Sequence, residues 1–187
     1  LVGIAQEEGH LSIQDTTSKY LGAGWTSLAP EQEAAITIWH QLTMTAGMNE
    51  LFFSCTSPGC LRFVAPAGDR WAYHNSPYSL TKEVLEEATG TTINAYTNRM
   101  IEDKIGMKTG FGWPTGDNTR FLSRVRDAAR FGHLILAEGR WENTTVLGDT
   151  SYFRAMLRPS QALNPAYGYL WWLNGQDKYM EPSGRTV

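Results

Sequence analysis

Asp69-Arg70-Trp71-Ala72-Tyr73-His74-Asn75-Ser76-Pro77-Tyr78-Ser79-Leu80-Thr81-Lys82-Glu83-Val84-Leu85-Glu86-Glu87-Ala88-Thr89-Gly90 is the stretch from which the rest of the chain can be placed. An extended aromatic run ends at Tyr73-His74-Asn75. Ser76 can cap a helix there, with Pro77 at its first position. Leu80, Val84, Leu85 and Ala88 share one face of that helix, over residues 77–89, and Gly90 suits its C-terminal stop. Tyr73 and Asn75 stand two residues apart in extended chain, so they can project together just ahead of the positive end of the helix. On spacing alone the plainer reading is favoured: a loop aromatic and an asparagine approaching a helix, with no chemical task.

Upstream, Leu1 to Ala5 reads as a helix that Gly9 ends. Asp15 can cap a short helix through Tyr20, Pro30 and Glu31-Gln32-Glu33 mark a connection, and Thr37 can cap a helix ending near Gly47. Residues 50–68 form a long loop. Inside it Cys55 and Cys60 flank Thr56-Ser57-Pro58-Gly59, where Pro then Gly fits the centre of a type II turn able to bring the two thiols together. A local Cys55–Cys60 disulfide is the favoured reading of this pattern, with two unpaired loop thiols as the alternative. The bridge would indicate an exported protein. A spacing of four residues is wrong for a Cys-x-x-Cys redox site or a zinc knuckle.

Downstream, the pattern predicts a helix from Ile93 to Ile105, with Ile93, Tyr96, Met100 and Ile101 inward and Gly106 as its stop. Phe111 to Thr119 reads as loop or short strand. Ser123 is placed to cap a helix whose Ala128, Phe131, Gly132, Ile135 and Leu136 make an inward stripe, ended by Gly139. Asp149 can cap another, ended by Pro159. Tyr167 to Leu173 reads as a strand, Asn174-Gly175 as a hairpin turn, and a return strand follows through Met180. The result is an α+β arrangement, mostly helical with a late β-hairpin.

The 187 residues are 42% hydrophobic and 19% charged, which suits one packed domain. A net charge of −3 provides no basic field for nucleic acid or an anionic membrane. There is no apolar run near the roughly 18 to 20 residues of a spanning helix. No charged leader with an apolar core and cleavage site is recognisable at Leu1, so any signal peptide is expected upstream of it. His10, His40, His74 and His133 are scattered and show no metal-ligand spacing, and neither a phosphate-binding glycine loop nor a Gly-x-Ser-x-Gly elbow is present. Trp171-Trp172 could line an apolar pocket or simply pack into the core. Asn143-Thr144-Thr145 is a glycosylation sequon, meaningful only in a eukaryotic secretory host.

Several patterns occur together in a specific order: Gly9-His10-Leu11-Ser12-Ile13-Gln14-Asp15 with Lys19-Tyr20-Leu21, Ile36 to Thr43 with Thr45-Ala46-Gly47-Met48, Tyr73-His74-Asn75, Ile105-Gly106-Met107, and Tyr167 to Trp172. With them the chain resembles, over nearly its whole length, the serine β-lactamase and penicillin-binding-protein superfamily. The nearest resemblance is to the class C-like esterase and D-peptidase branch. That resemblance implies a β-lactamase/transpeptidase-like fold and an acyl-enzyme hydrolase acting on a small-molecule ester, β-lactam or D-amino-acid amide. It implies no metal or organic cofactor.

In that family a serine attacks the acyl carbon, a lysine on the same helix shares its proton, and the tyrosine of Tyr-x-Asn works as general base and then acid. A serine hydroxyl is a poor nucleophile until a neighbour accepts its proton, and a phenol can accept it only when a nearby ammonium favours the phenolate. By resemblance Tyr73 takes that role, Asn75 donates its amide to the acyl side of the substrate, and His74 turns away and packs. The family's Ser-x-x-Lys is expected just ahead of Leu1, and its Lys-Thr-Gly strand beyond Val187, so the chain reads as the middle of a longer domain. Ser79-Leu80-Thr81-Lys82 and Lys108-Thr109-Gly110 spell both motifs but in the wrong places, and read as helix surface and turn. The alternative to a hydrolase is a non-catalytic relative or ligand-binding fragment that keeps the scaffold.

Overall fold

In the computed structural model, residues 1–52, 54–108, 112–114 and 120–174 are described. The architecture is mostly helical. Helix α1 (Val2–Glu7) buries Val2, Ile4 and Ala5, and Gly9 leaves it at φ 77°, the left-handed turn that favours glycine. Helix α2 (Ser18–Leu21) begins after Thr17, not Asp15. Asp15 instead gathers three donors, Ser12 N–H, Lys19 Nζ and the Tyr20 hydroxyl, at 2.6–2.9 Å. The expected connection at Pro30 is a helix, α3 (Pro30–Ala34), with Pro at its start. Its Glu33 is buried because Gly24 N–H, Thr26 N–H and the Thr26 hydroxyl all donate to its carboxylate. Five residues with a single polar role carry no readable apolar period, which is why the sequence pattern misses them.

Thr37 caps α4 (Ile38–Leu42) as expected, accepting from the His40 N–H. The helix stops at Leu42 and not near Gly47, because the Thr43 hydroxyl bonds back to the Trp39 carbonyl and Met44 takes a positive φ of 62°. In the loop, Pro58–Cys60 makes one 3-10 turn where a type II turn was expected, and Cys55 and Cys60 are joined with their Cα atoms 5.9 Å apart.

The central helix differs most from expectation. It begins at Asn75, two residues early, as α5 (Asn75–Ser79), then breaks at Leu80 into α6 (Thr81–Thr89). Asn75 is therefore a first-turn helical residue and not part of the extended run. The break follows from two short side chains that bond to the backbone: the Ser79 hydroxyl to Ser76 O and the Thr81 hydroxyl to Tyr78 O. Leu80, Val84 and Leu85 are buried as predicted, and Gly90 closes α6 in the left-handed conformation.

Residues 93–105 form the expected helical run, as α7 (Ile93–Thr97), one π turn (Asn98–Glu102) and α8 (Asp103–Ile105), with Ile93, Tyr96, Met100 and Ile101 inward and Gly106 at φ 67°. Helix α9 (Val125–Leu136) follows Arg124, and Ser123 gives no cap. Its predicted stripe is only partly covered: Asp127 and Leu134 are the buried positions, Ile135 packs on the edge of the main core, and Leu136 is 84% exposed. Ala128, Phe131 and Ile135 also line an apolar cavity of about 450 Å³ with residues of α1, α6 and α10.

A two-stranded antiparallel hairpin does occur, but earlier than expected: β1 (Arg140–Trp141) pairs with β2 (Thr144–Thr145). The sequon Asn143-Thr144-Thr145 lies on it and is exposed. Asp149 caps α10 (Thr150–Met156) as predicted, accepting from Ser151 N–H and Tyr152 N–H. Residues 167–173 make a tight loop closed by one bridge, Tyr167 to Trp172, and not a strand, since Leu170 turns the chain at φ 60°. The expected return strand from Gly175 to Met180 lies outside the described residues.

The main core draws on α1, α4, α6, α7, α9 and α10. A second cluster, Trp25, Ile36, Ala46, Met48, Leu61 and Leu80, lies beneath the start of α6. A third, Met44, Trp71 and Tyr167, has Tyr73 and Tyr78 packed against it. The candidate site stands on these two smaller clusters.

Candidate active site

The extended segment 70–74 is fixed from behind. Ala72 N–H donates to Met44 O at 3.1 Å, and Trp71, only 1% exposed, meets Tyr167 edge-on at 5.4 Å. Tyr73 follows two residues on, half-buried, its ring stacked on that of Trp172 at 5.7 Å and 23°, and Trp172 meets Trp71 edge-on at 5.8 Å. Trp172 also meets Tyr167 edge-on at 4.9 Å. Burial raises the Tyr167 phenol, and the neighbouring Tyr73 and Tyr78 add to the effect. Tyr73 thus sits on a rigid aromatic wall.

The two adjacent tryptophans divide between the two readings offered by sequence. Trp172 faces Tyr73, while Trp171 stacks on Phe131 at 6.3 Å, beside the large cavity. Trp172 is a site residue that the sequence indicated only as one of two possibilities. No periodic signal separates the two tryptophans, because residues 167–173 form a loop turned at Leu170 and not a strand.

Asn75 is 8% exposed, and its side-chain Oδ1 is buried with no hydrogen-bond partner. Buried acceptors are normally satisfied, so such an atom requires a functional or structural account. The turn that carries it is held by two groups that sequence reasoning missed. Gln41 Nε2 donates to Pro77 O at 2.8 Å while its Oε1 accepts from the Thr17 hydroxyl, and the Ser76 hydroxyl donates to Phe52 O at 3.0 Å. A buried glutamine one turn into a short helix carries no sequence signal of its partner.

His74 turns inward as expected. It is 3% exposed and, with His40, Gln41 and Arg70, lines a cavity of about 10 Å³, enough for roughly one water. Burial is the main reason its pKa falls to about 4, against the opposing pull of Glu50 and the Phe52 backbone. Glu50 pairs with Arg70, which draws its carboxyl below the usual range despite burial.

The two motif look-alikes are otherwise engaged, although Ser79 closes the same short helix that Asn75 begins. Ser79 is 2% exposed and spends its hydroxyl on Ser76 O, and Lys82 lies across the Leu80 break with its ammonium 5.0 Å from the centre of the Trp113 ring. They belong to two different helices, α5 and α6. Lys108 follows the Gly106 stop and is exposed, while Thr109 and Gly110 lie outside the described residues. The histidines stand apart: His10 by Glu8, His40 against Thr37, His133 edge-on to Trp141. Among the described residues, no three metal-ligating side chains converge.

The β-lactamase family model matches residues 1–184. The chain belongs to the β-lactamase family. Solved structures carry the same fold at low identity. A β-lactamase-type protein from Bacteroides dorei is 18% identical with a TM-score of 0.72, covering 91% of this chain and 61% of its own. A penicillin-binding protein from Bacillus halodurans is 17% identical with a TM-score of 0.69, over 99% and 76%. A D-stereospecific amidohydrolase from a Streptomyces species is 17% identical with a TM-score of 0.62, over 100% and 71%. Among curated proteins, none matches the sequence. The chain therefore spans about three fifths of the Bacteroides dorei protein. Among the described residues, no helix is long and apolar enough to cross a membrane.

Proposed function

We propose that Tyr73 and Asn75 are two members of the active site of a serine acyl hydrolase that works through an acyl-enzyme on an ester, a β-lactam or a D-amino-acid amide. The nucleophilic serine and its lysine belong, in this reading, to polypeptide ahead of Leu1, and the third motif to polypeptide beyond Val187. Partial coverage of the Bacteroides dorei relative supports this, as does the commitment of Ser79 to the backbone.

The observation that carries the proposal is the buried, unpartnered Oδ1 of Asn75 two residues from a half-buried tyrosine set on an aromatic wall. Tyr73 takes the proton from the attacking serine and returns it to the leaving group, so no free ion is released. Asn75 uses both ends of its amide: Nδ2 donates to the acyl side of the substrate, and Oδ1 accepts from the lysine ammonium. Burial strengthens both contacts, because little water competes. The fixed ring stack and the pinned first turn of α5 hold the two groups ready, which lowers the cost of orientation.

The disulfide supports an oxidising compartment, hence export. Replacing Tyr73 by Phe in the complete polypeptide removes the proton carrier but keeps the stack. Turnover of an activated ester should fall by about 100-fold or more with the melting temperature unchanged. A rate near that of the wild type would contradict the assignment.

A further inference from the structure

The Phe52 carbonyl oxygen is shared by two donors that come from different parts of the chain. Cys55 N–H reaches it at 3.1 Å and the Ser76 hydroxyl at 3.0 Å. Ser76 is wholly buried and is the residue next to Asn75. Cys55 is one end of the disulfide. A covalent cross-link on one side and the candidate substrate-binding asparagine on the other therefore meet at one acceptor.

The loop that carries this acceptor is braced along its length. Its base is closed by Asn49 N–H to Arg62 O at 2.9 Å and by the Met48–Phe63 bridge. Within it, Arg62 Nε donates to Gly59 O at 2.8 Å while its guanidinium lies 5.2 Å from the centre of the Phe52 ring. Arg70 pairs with Glu50 one residue before the exposed Leu51. The Cys55 N–H bond to the Phe52 carbonyl closes a turn, and the disulfide ties Cys55, at its end, to Cys60.

Resting on the reading of Tyr73 and Asn75 given above, we propose that the Cys55–Cys60 bridge and Ser76 act together as a positioning device. They hold the first turn of α5 so that the Asn75 amide meets the acyl group of the substrate at a fixed angle. None of the three side chains touches a reacting atom. Their effect passes through the Phe52 carbonyl. Without the bridge the 52–55 turn gains freedom, the carbonyl leaves the Ser76 hydroxyl, and a buried donor is left to pull the turn toward another acceptor.

The test is a cycle on the complete polypeptide with an activated ester as substrate. Ser76→Ala and the double variant Cys55→Ser/Cys60→Ser should each lower kcat/KM by about five- to tenfold. Because both act on the same contact, the triple variant should lose no more than the worse of the two. A bridge that merely stabilised the fold would give losses that multiply, or leave kcat/KM unchanged while the melting temperature fell, and either result overturns the proposal. If the double serine variant does not fold, phosphine reduction of the folded wild-type protein, with and without Ser76→Ala, makes the same comparison. Tyr73→Phe run alongside separates the two levels. A crippled Tyr73→Phe with kinetically normal brace variants removes the positioning role alone, and an active Tyr73→Phe removes the reading beneath it.

Discussion

Between Tyr73 and Asn75, His74 points into the protein, where it is kept neutral mainly by burial. Its folded pKa near 4 lies below the roughly 6.5 of an unfolded histidine, so above about pH 6.5 the group is neutral in both states and adds no pH dependence. As the pH falls from there toward 4, the unfolded chain takes up the proton first and stability is lost. Below about pH 4 both states are protonated and this contribution levels off. Urea unfolding of wild type and His74→Gln at pH 7 and pH 4.5 should show the wild type losing up to about 2 to 3 kcal/mol more than the variant. Parallel losses would contradict a buried neutral histidine. At this scale the sequence was legible where chemistry is local: Thr37 and Asp149 cap their helices, and Gly90 and Gly106 end theirs. It was not legible for Gln41 and Ser76, whose partners lie 36 and 24 residues away.

The short helix α5 holds its place through side chains and not through its own length, since five residues offer little intrinsic helical stability. Gln41 is the main support, joining Thr17 to the Pro77 carbonyl across α4 and α5. Gln41→Ala would strand a buried hydroxyl and a buried carbonyl at once, and should destabilise the protein by about 2 to 4 kcal/mol in denaturant unfolding. A loss below about 0.5 kcal/mol would show that α5 stands without it. The disulfide loop is so small that its removal should cost only about 2 kcal/mol on chain-entropy grounds, again measured by unfolding. A much larger loss would mean that the bridge holds up more than its own turn. The helix boundaries in this region were misjudged for a related reason. Pro77 looked like a first helical residue, but the break at Leu80 is made by Ser79 and Thr81 bonding to the backbone, a choice that periodicity does not record.

For the whole molecule, membership of the β-lactamase family was readable because Tyr73-His74-Asn75, the Thr45-Ala46-Gly47-Met48 turn and the Tyr167 to Trp172 loop appear in order. They and their flanks converge in space: Ala72 bonds to Met44, Trp71 packs on Tyr167, and Tyr73 stacks on Trp172. What periodicity cannot state is which surface covers an apolar stripe. Helix α9 has the stripe, yet its Phe131 and Ile135 are only partly covered: Phe131 stacks on Trp171, Ile135 packs on the edge of the main core, and both line the cavity of about 450 Å³. Among the described residues the hairpin is at Arg140 to Thr145, where Glu142 takes a positive φ of 50°, and the turn expected at Asn174-Gly175 reaches beyond the described residues.

The most direct test of the central claim is the rate at which a fluorophosphonate labels the complete polypeptide, followed by intact mass and peptide mapping, in wild type and in Tyr73→Phe. The account predicts one adduct per chain in the wild type, on a serine ahead of Leu1, forming about 100-fold or more slowly in Tyr73→Phe. Equal labelling rates in the two proteins, or an adduct on Ser79, would contradict it.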